Sequence, residues 1–185
     1  MNKSISLLVV MGVLLTLSQS LSAQEETVAG KQFFAEFGGP GIIMSANVDA
    51  RFKSGTRLGL GYRLGAGFGI GNFDDTQVID PYGSTYYKEV TRTIYSFPVG
   101  LNYIFGKPTS TSTFEVGGGV SLLSRETSLY NYEVKKPGYA IGFLTFMYRV
   151  TPINGGMSFR IGFTPIVGTA GDLFPMGAIG FGYAF

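Results

Sequence analysis

Charged side chains alternate with apolar ones along several segments of this chain, and they are the residues whose chemistry could matter most. Charged groups on one face of a strand persist away from water only as hydrogen-bonded ion pairs. Around a water-filled bore, the same groups would line a path for ions or bind a ligand. The set consists of Glu36, Asp49, Arg51, Arg63, Glu115, Arg149 and Arg160, with Asn47 on the same face. The sequence therefore allows two interpretations, a salt-bridged plug or a polar conduit.

The composition excludes most enzymatic chemistry. There is no His and no Cys among the 185 residues, so the usual general base of Ser-His hydrolases, thiolate nucleophiles, disulfides and thiolate metal sites are all excluded. The 14 basic and 12 acidic residues give no strong net charge, which makes nucleic acid an unfavourable partner. We predict that the protein is not an enzyme and has no catalytic residue, cofactor or metal site.

Residues 57–71 define the element that positions these charges. Every odd position is Gly or Arg, and every even position is apolar. Because successive side chains of a strand point to opposite faces, this period of two predicts a strand with one apolar face. The stretch also exceeds the roughly 9–11 residues with which a tilted strand crosses a bilayer. The even positions hold Leu58, Leu60, Tyr62, Leu64, Ala66, Phe68 and Ile70.

The same alternation recurs along the chain and predicts an eight-stranded antiparallel up-and-down transmembrane β-barrel. Its short turns alternate with longer connections, as in outer-membrane barrels. If residues 38–41 were a kink rather than a hairpin turn, the count would fall to seven. Pro98 lies within the fourth strand and predicts a local bulge. The predicted strands are residues 32–38, 42–52, 57–71, 92–105, 113–124, 138–150, 156–165 and 176–185, and the longer loops are 72–91, 125–137 and 166–175.

The charged face must point to the interior of such a barrel, because a mid-strand Arg facing lipid would cost on the order of 2–4 kcal/mol. Eight strands leave a bore that side chains can fill, which favours the plug over an open pore. Glycines on the same face would leave room for long polar neighbours. Asp49 is expected opposite Gly59 or Gly61, and Asn47 opposite Gly61 or Arg63.

The N-terminus resembles a cleavable signal peptide. Lys3 precedes an apolar run over residues 5–17, and small residues follow at Ser20, Ser22 and Ala23. The run is shorter than a membrane-spanning helix needs, so removal is favoured over anchoring. The expected organisation is a signal peptide over residues 1–23 and one barrel domain over 24–185, exported from the cytoplasm.

The C-terminus carries the most specific short signal. Gly180, Tyr183 and the terminal Phe185 form a Gly-x-x-aromatic-x-aromatic ending that resembles the terminal strand signal of bacterial outer-membrane proteins, which the barrel assembly machinery recognises. The segments AEFGGPGIIMSANVDARF, FPVGLNYIFGK, FEVGGGVSLL, SFRIGFTPIVG and GFGYAF are similar to those of the small porin-like outer-membrane β-barrel proteins of Gram-negative bacteria. This resemblance implies location in the cell outer membrane and the barrel fold. It supplies no catalytic residue.

The expected function is that of a structural or surface-interaction barrel in contact with outer-membrane lipid. An extracellular partner would bind the long loops, or else the loop tyrosines would form an interfacial girdle. The alternatives are a narrow channel for ions or small solutes and a soluble lipocalin-like ligand-binding barrel, with an outer-membrane hydrolase least favoured. A phosphate-binding loop at GYRLGAG is disfavoured because no helix follows it. The loop tyrosines are Tyr82, Tyr86, Tyr87, Tyr130 and Tyr132.

Overall fold

A computed structural model describes residues 28–79, 82, 85–127, 138–168 and 173–185. The signal peptide predicted over residues 1–23 lies outside these ranges. The described chain is all β, with one short 3-10 turn at Gly39–Gly41 and no helix long and apolar enough to cross a membrane. The strands are β1 Lys31–Gly38, β2 Met44–Arg51, β3 Gly59–Ile79, β4 Thr85–Phe105, β5 Ser112–Thr127, β6 Gly138–Val150, β7 Gly156–Phe163, β8 Ile166–Val167, β9 Leu173–Phe174 and β10 Gly177–Ala184.

These strands close into the predicted eight-stranded antiparallel barrel. Consecutive strands from β1 to β7 pair with one another, and β10 pairs with both β7 and β1, which closes the barrel. β8 pairs with β6 just beyond the end of β7, and β9 pairs with β8. The short strands therefore extend the seventh and eighth positions of the barrel, and the count of eight is confirmed.

The register fixes the tilt of the barrel. Following paired residues once around the wall, a path that starts at Phe105 returns to the same strand at Tyr95, ten residues away. With standard strand spacings, this stagger across eight strands gives a tilt of roughly 40°. All residues on the path point outward. It runs through Phe105, Phe114, Tyr148, Ile161, Ile179, Phe37, Met44, Phe68 and Tyr95.

The two faces of the wall follow the alternation of the sequence. Along β4, Tyr95, Phe97, Val99, Leu101 and Tyr103 are each about half exposed, while the residues between them face the interior. β6 begins and ends at the predicted residues, 138 and 150. The alternation therefore predicted correctly which face of each strand points inward.

The first predicted long loop is largely strand. β3 and β4 remain paired through residues 72–79 and 85–91, with a bulge between Asp74 and Thr76. The prediction of a loop over residues 72–91 is therefore wrong. Polar and turn-forming residues dominate this stretch, so the alternation that predicts a strand is missing from it. A two-stranded β-ribbon still forms, because backbone hydrogen bonds need no apolar face. The predicted loop 166–175 likewise contains β8 and β9.

Two predictions about register are also wrong. The pairing of β3 with β4 keeps the same register on both sides of Pro98, so no bulge forms there. Asp49 lies opposite Arg63 and Asn47 lies opposite Gly65. The connection from β2 to β3 spans residues 52–58, longer than the predicted turn over residues 53–56, and this shifts the pairing while leaving every polar side chain facing inward.

Residues 38–41 do form a hairpin turn, since β1 pairs antiparallel with β2. The turn lies inside the barrel, where Gly39, Pro40 and Gly41 are all buried. The hydroxyl of Ser121 donates to the Pro40 carbonyl (2.7 Å), and that of Ser96 donates to the Gly41 carbonyl (3.1 Å). The next residue, Ile42, has a φ of 76° and packs inward. The predicted strand over residues 42–52 is therefore wrong at its start, because the turn reverses the chain into the lumen and β2 begins only at Met44.

Candidate functional site

The inward charges meet as one continuous chain of alternating sign. Each member is almost completely buried, with side-chain exposures of 5% or less. All eight residues of the predicted polar network lie in the interior. The order of the charges is Arg63, Glu36, Arg160, Glu115, Arg149, Asp49 and Arg51, with each carboxylate between two guanidinium groups.

Glu115 and Arg149 form the centre of this chain. Nη1 of Arg149 donates to Glu115 (2.8 Å) and to Asp49 (2.6 Å). The second oxygen of Glu115 accepts from Nη2 of Arg160 (2.9 Å). Because the planar guanidinium group offers several donors in a fixed fork, one Arg can connect carboxylates from different strands. Here the connected strands are β2, β5, β6 and β7.

Glu36 connects the remaining arginines. Its Oε1 accepts from Nη2 of Arg63 at 2.5 Å, and its Oε2 lies 3.2 Å from Nε of Arg160, an ion pair whose angle is too poor for a hydrogen bond. Asn47 accepts from Nε of Arg63 (3.0 Å) and donates to Ser45 (2.9 Å). The amides and hydroxyls thus fix the orientation of the charged groups.

Phe34 is a member of the site that sequence reasoning missed. Its ring is fully buried, with the guanidinium carbon of Arg160 at 4.3 Å and that of Arg63 at 5.1 Å from the centroid. The negative face of an aromatic ring attracts such cations. The alternation contained the signal, because Phe34 lies between Gln32 and Glu36 on the inward face. Gln32, which accepts from Arg149, was missed for the same reason.

Inward glycines make room for this network, as predicted, although their partners differ. A side chain at Gly61 would collide with the guanidinium group of Arg51, and one at Gly65 would collide with the amide of Asn47. Gly180, which belongs to the predicted C-terminal signal, lies under the aliphatic part of Arg160. Here glycine contributes space rather than flexibility.

Arg57 closes the end of the barrel that carries the short turns. The residue lies just before β3 and is 6% exposed, whereas the sequence predicted that it begins the strand. Its guanidinium group donates to the carbonyls of Thr151 (3.0 Å), Pro108 (3.1 Å) and Ser110. One side chain therefore ties its own turn before β3 to the turn between β4 and β5 and to the turn between β6 and β7.

An apolar cluster fills the opposite end. Ile94, Leu123, Ile141 and Ile166 form it, each 6% exposed or less. Ile42, Phe174 and Met176 pack against these residues. The sequence prediction treated the whole interior as polar, so it missed this part. The Gly39–Gly41 turn lies between the charged network and the apolar cluster.

The other predicted site residues that the structure describes lie in different parts of the barrel. Tyr183 and Phe185 are 48% and 40% exposed on the outer face near the short turns. Tyr82 is 94% exposed in the turn between β3 and β4, while Tyr86 and Tyr87 are on strand β4 rather than in a loop. Tyr130 and Tyr132 lie outside the described residues.

Within the described part of the chain, no group of three or more His, Cys, Asp or Glu side chains is placed to hold a metal ion. Comparison of the chain with protein-family models, curated proteins and solved structures found no match. Function is therefore inferred from the eight-stranded barrel and from the geometry of its inner and outer faces.

Proposed function

We propose that this protein is an outer-membrane β-barrel of a Gram-negative bacterium, exported by a signal peptide and plugged by its own side chains. In this role it acts as a structural or surface-interaction protein rather than as an enzyme. The observation that carries the proposal is the inversion of polarity across the wall. Phe33, Leu101 and Phe181 are about half exposed on the outside, while Arg63 and Arg160 are 2% and 0% exposed inside.

The size of the apolar belt supports insertion in a bilayer. On β4, outward apolar residues run from Tyr95 to Phe105. At roughly 3.3 Å per residue and a tilt of roughly 40°, this run covers roughly 25 Å along the barrel axis. That height is similar to the apolar band of outer-membrane barrels. A soluble monomer rarely exposes a continuous apolar surface of this extent.

Aromatic residues at the turn end of the belt support the same proposal. Phe114 stacks on Phe105 with ring centroids 6.0 Å apart and meets Tyr148 edge-on at 5.5 Å. The hydroxyl of Tyr148 donates to Ser112 (2.8 Å) at the start of β5. Rings with one polar end are typical of the interface between lipid and water. The C-terminal aromatic residues lie in the same region and fit recognition by the assembly machinery.

The packing of the interior favours a side-chain plug over the two alternatives, a soluble lipocalin-like barrel and a channel. A lipocalin-like barrel would need an apolar cavity, but the lumen holds ion pairs in one half and a packed apolar cluster in the other. A channel would need a continuous bore, but Arg149 bridges Asp49 and Glu115 across it. The β3–β4 ribbon and the segments predicted as the other two long loops would then present the protein to an extracellular partner.

Cell fractionation with gel electrophoresis tests the proposal. We expect the protein in the outer-membrane fraction, with a gel band that shifts on boiling because the folded barrel resists detergent. Planar-bilayer recordings should show no reproducible conductance. Recovery from the soluble fraction without detergent would exclude the membrane role, and channel openings that change in Arg63→Ala would exclude the plug.

The outer face can be tested directly by Leu101→Arg. In a lipid-facing position, the substitution should destabilise the barrel by roughly 2–4 kcal/mol in lipid vesicles. The matched control is Lys53→Arg in the exposed turn before β3. Equal stability of the two variants would show that residue 101 does not meet lipid.

A further inference from the structure

A small cavity lies at the end of the barrel that carries the short turns, and it is lined by polar and charged groups beyond those that the plug needs. Arg51, Arg57 and Arg149 line it together with Gln32, Asp49 and Thr151. Its volume of about 20 Å³ is enough for one small occupant, since a single water needs at least roughly 10–15 Å³ measured in this way. A phosphate or a nucleotide would not fit.

Two residues that line this cavity each carry a buried hydrogen-bonding group with no protein partner among the described residues. These groups are Nε of Arg57 and the hydroxyl of Thr151, and both residues are 6% exposed. Buried polar groups in folded proteins almost always have a partner. Because both groups can donate a hydrogen bond, they favour an occupant that accepts.

The charges around the cavity favour an anion. The buried charged residues of the described chain comprise five arginines and three carboxylates, so two positive charges lack a buried counterpart. Asp49 cannot supply one, because its oxygens already accept from Arg51, Arg149 and Asn102. Burial, and then the positive charge of Arg149, lower the pKa of Arg57 from its ordinary value.

We propose that this cavity is a binding site for a monatomic anion of the size of chloride, held by Nε of Arg57 and the hydroxyl of Thr151. The anion offsets part of the excess positive charge of the interior and accepts the two free hydrogen bonds. The site is independent of what the extracellular side of the protein binds.

Diffraction from crystals of the purified protein grown in sodium bromide locates the occupant. Bromide replaces chloride and scatters anomalously, so we expect a single interior anomalous peak within hydrogen-bond reach of Arg57 and Thr151. Ordered density at this place without anomalous signal would identify a water molecule and overturn the proposal.

Urea unfolding in detergent measures binding in solution. An anion that binds only the folded state raises the free energy of unfolding by an amount that grows with the logarithm of its concentration above the dissociation constant. Sodium chloride should therefore stabilise the protein relative to sodium gluconate at equal ionic strength. Thr151→Val keeps the shape of the side chain and removes its hydroxyl. It should raise the chloride concentration for half-saturation about tenfold, because one hydrogen bond to a charged partner is lost.

Thr164→Val is the matched control. Its hydroxyl is equally buried and unpartnered among the described residues but lies near Glu36, away from this cavity. This variant should keep the chloride response of the unmodified protein. An equal loss of response in both variants, or no difference between chloride and gluconate, would overturn the site.

Discussion

The two halves of the barrel interior are filled by different means. The half nearest the short turns holds the alternating chain of arginines and carboxylates, whereas the far half holds Ile94, Leu123, Ile141 and Ile166. Ion pairs stabilise only when each group meets a partner at the correct distance, so the charged half requires one register of β2, β5, β6 and β7. Apolar side chains make no such demand and need only fill the volume.

This difference predicts different responses to substitution. Removal of one buried charge leaves its partners uncompensated in a medium of low dielectric constant. Removal of apolar atoms leaves a cavity whose cost depends on how far the neighbours collapse. The charged half should therefore be the more sensitive of the two, even though each half is equally buried.

The largest effect is expected for Glu115→Gln. Glu115 accepts from both Arg149 and Arg160, and the neutral amide raises the excess of buried positive charge from two to three. We expect a loss of roughly 3–5 kcal/mol in the free energy of unfolding, measured by urea titration in detergent. The control is Lys53→Gln in the exposed turn before β3, which should change stability by no more than about 0.5 kcal/mol.

A loss below about 1 kcal/mol for Glu115→Gln would contradict this comparison. Such a result is expected only if water enters the interior and screens the charges, and it would then favour the channel over the plug.

The apolar half is tested by Ile166→Ala. Ile166 is fully buried in the cluster, and its loss should cost roughly 2–5 kcal/mol. We expect a value near the lower limit, because Ile42, Phe174 and Met176 are only partly buried and can move into the space. The same titration measures it.

The matched control for Ile166→Ala is Ile161→Ala. Ile161 is 46% exposed on the outer face of β7, so its truncation in detergent leaves no internal cavity and should cost clearly less. Equal losses for the two variants would mean that the cluster does not contribute as a packed core.

The space reserved for the charged network is tested by Gly61→Ala. The new methyl group would collide with the guanidinium group of Arg51 and with the carbonyl of Ala50. Overpacking of this kind costs roughly 1–3 kcal/mol. Gly177→Ala is the control, because the methyl group there meets its nearest atom at 3.7 Å and fits without movement. If both variants were equally stable, glycine would not be required for space.

The same comparison explains which parts of the fold could be predicted from the sequence. In the charged half, inward residues such as Asp49 and Arg149 alternate with outward apolar ones, so the period of two identified both the strands and their orientation. In the far half, Ile94 lies next to Tyr95 and Leu123 next to Leu122. Both faces are apolar there, the alternation disappears, and the apolar cluster could not be predicted.

The errors in register and turns have another origin. The pattern restricts the pairing of β2 with β3 to alternatives that differ by two residues, but only the length of the turn selects Arg63 as the partner of Asp49. The inward orientation of Phe34 and Gln32 followed from the alternation. Their partners did not, because contacts across the barrel depend on how far the strand register shifts around the wall. The inward fold of the Gly39–Gly41 turn depends on hydroxyls of β4 and β5 that are remote in sequence.

The smallest effect is expected at the boundary between the two halves, for Ser121→Ala. The substitution removes the hydrogen bond to the Pro40 carbonyl and leaves that acceptor buried without this donor. The loss should be about 1 kcal/mol in the free energy of unfolding, and Ser54→Ala in the exposed turn before β3 serves as the control.

Hydrogen exchange in the Ser121→Ala variant tests the same boundary more directly, because a loosened turn exposes the Ile42 amide, which donates to the Gly39 carbonyl. If exchange at Ile42 becomes faster while amides of β2 and β6 stay protected, the turn opens independently of the charged network and of the apolar cluster. If the whole interior exchanges faster, the hydroxyl of Ser121 couples the charged network to the apolar cluster, and the two halves act as one core.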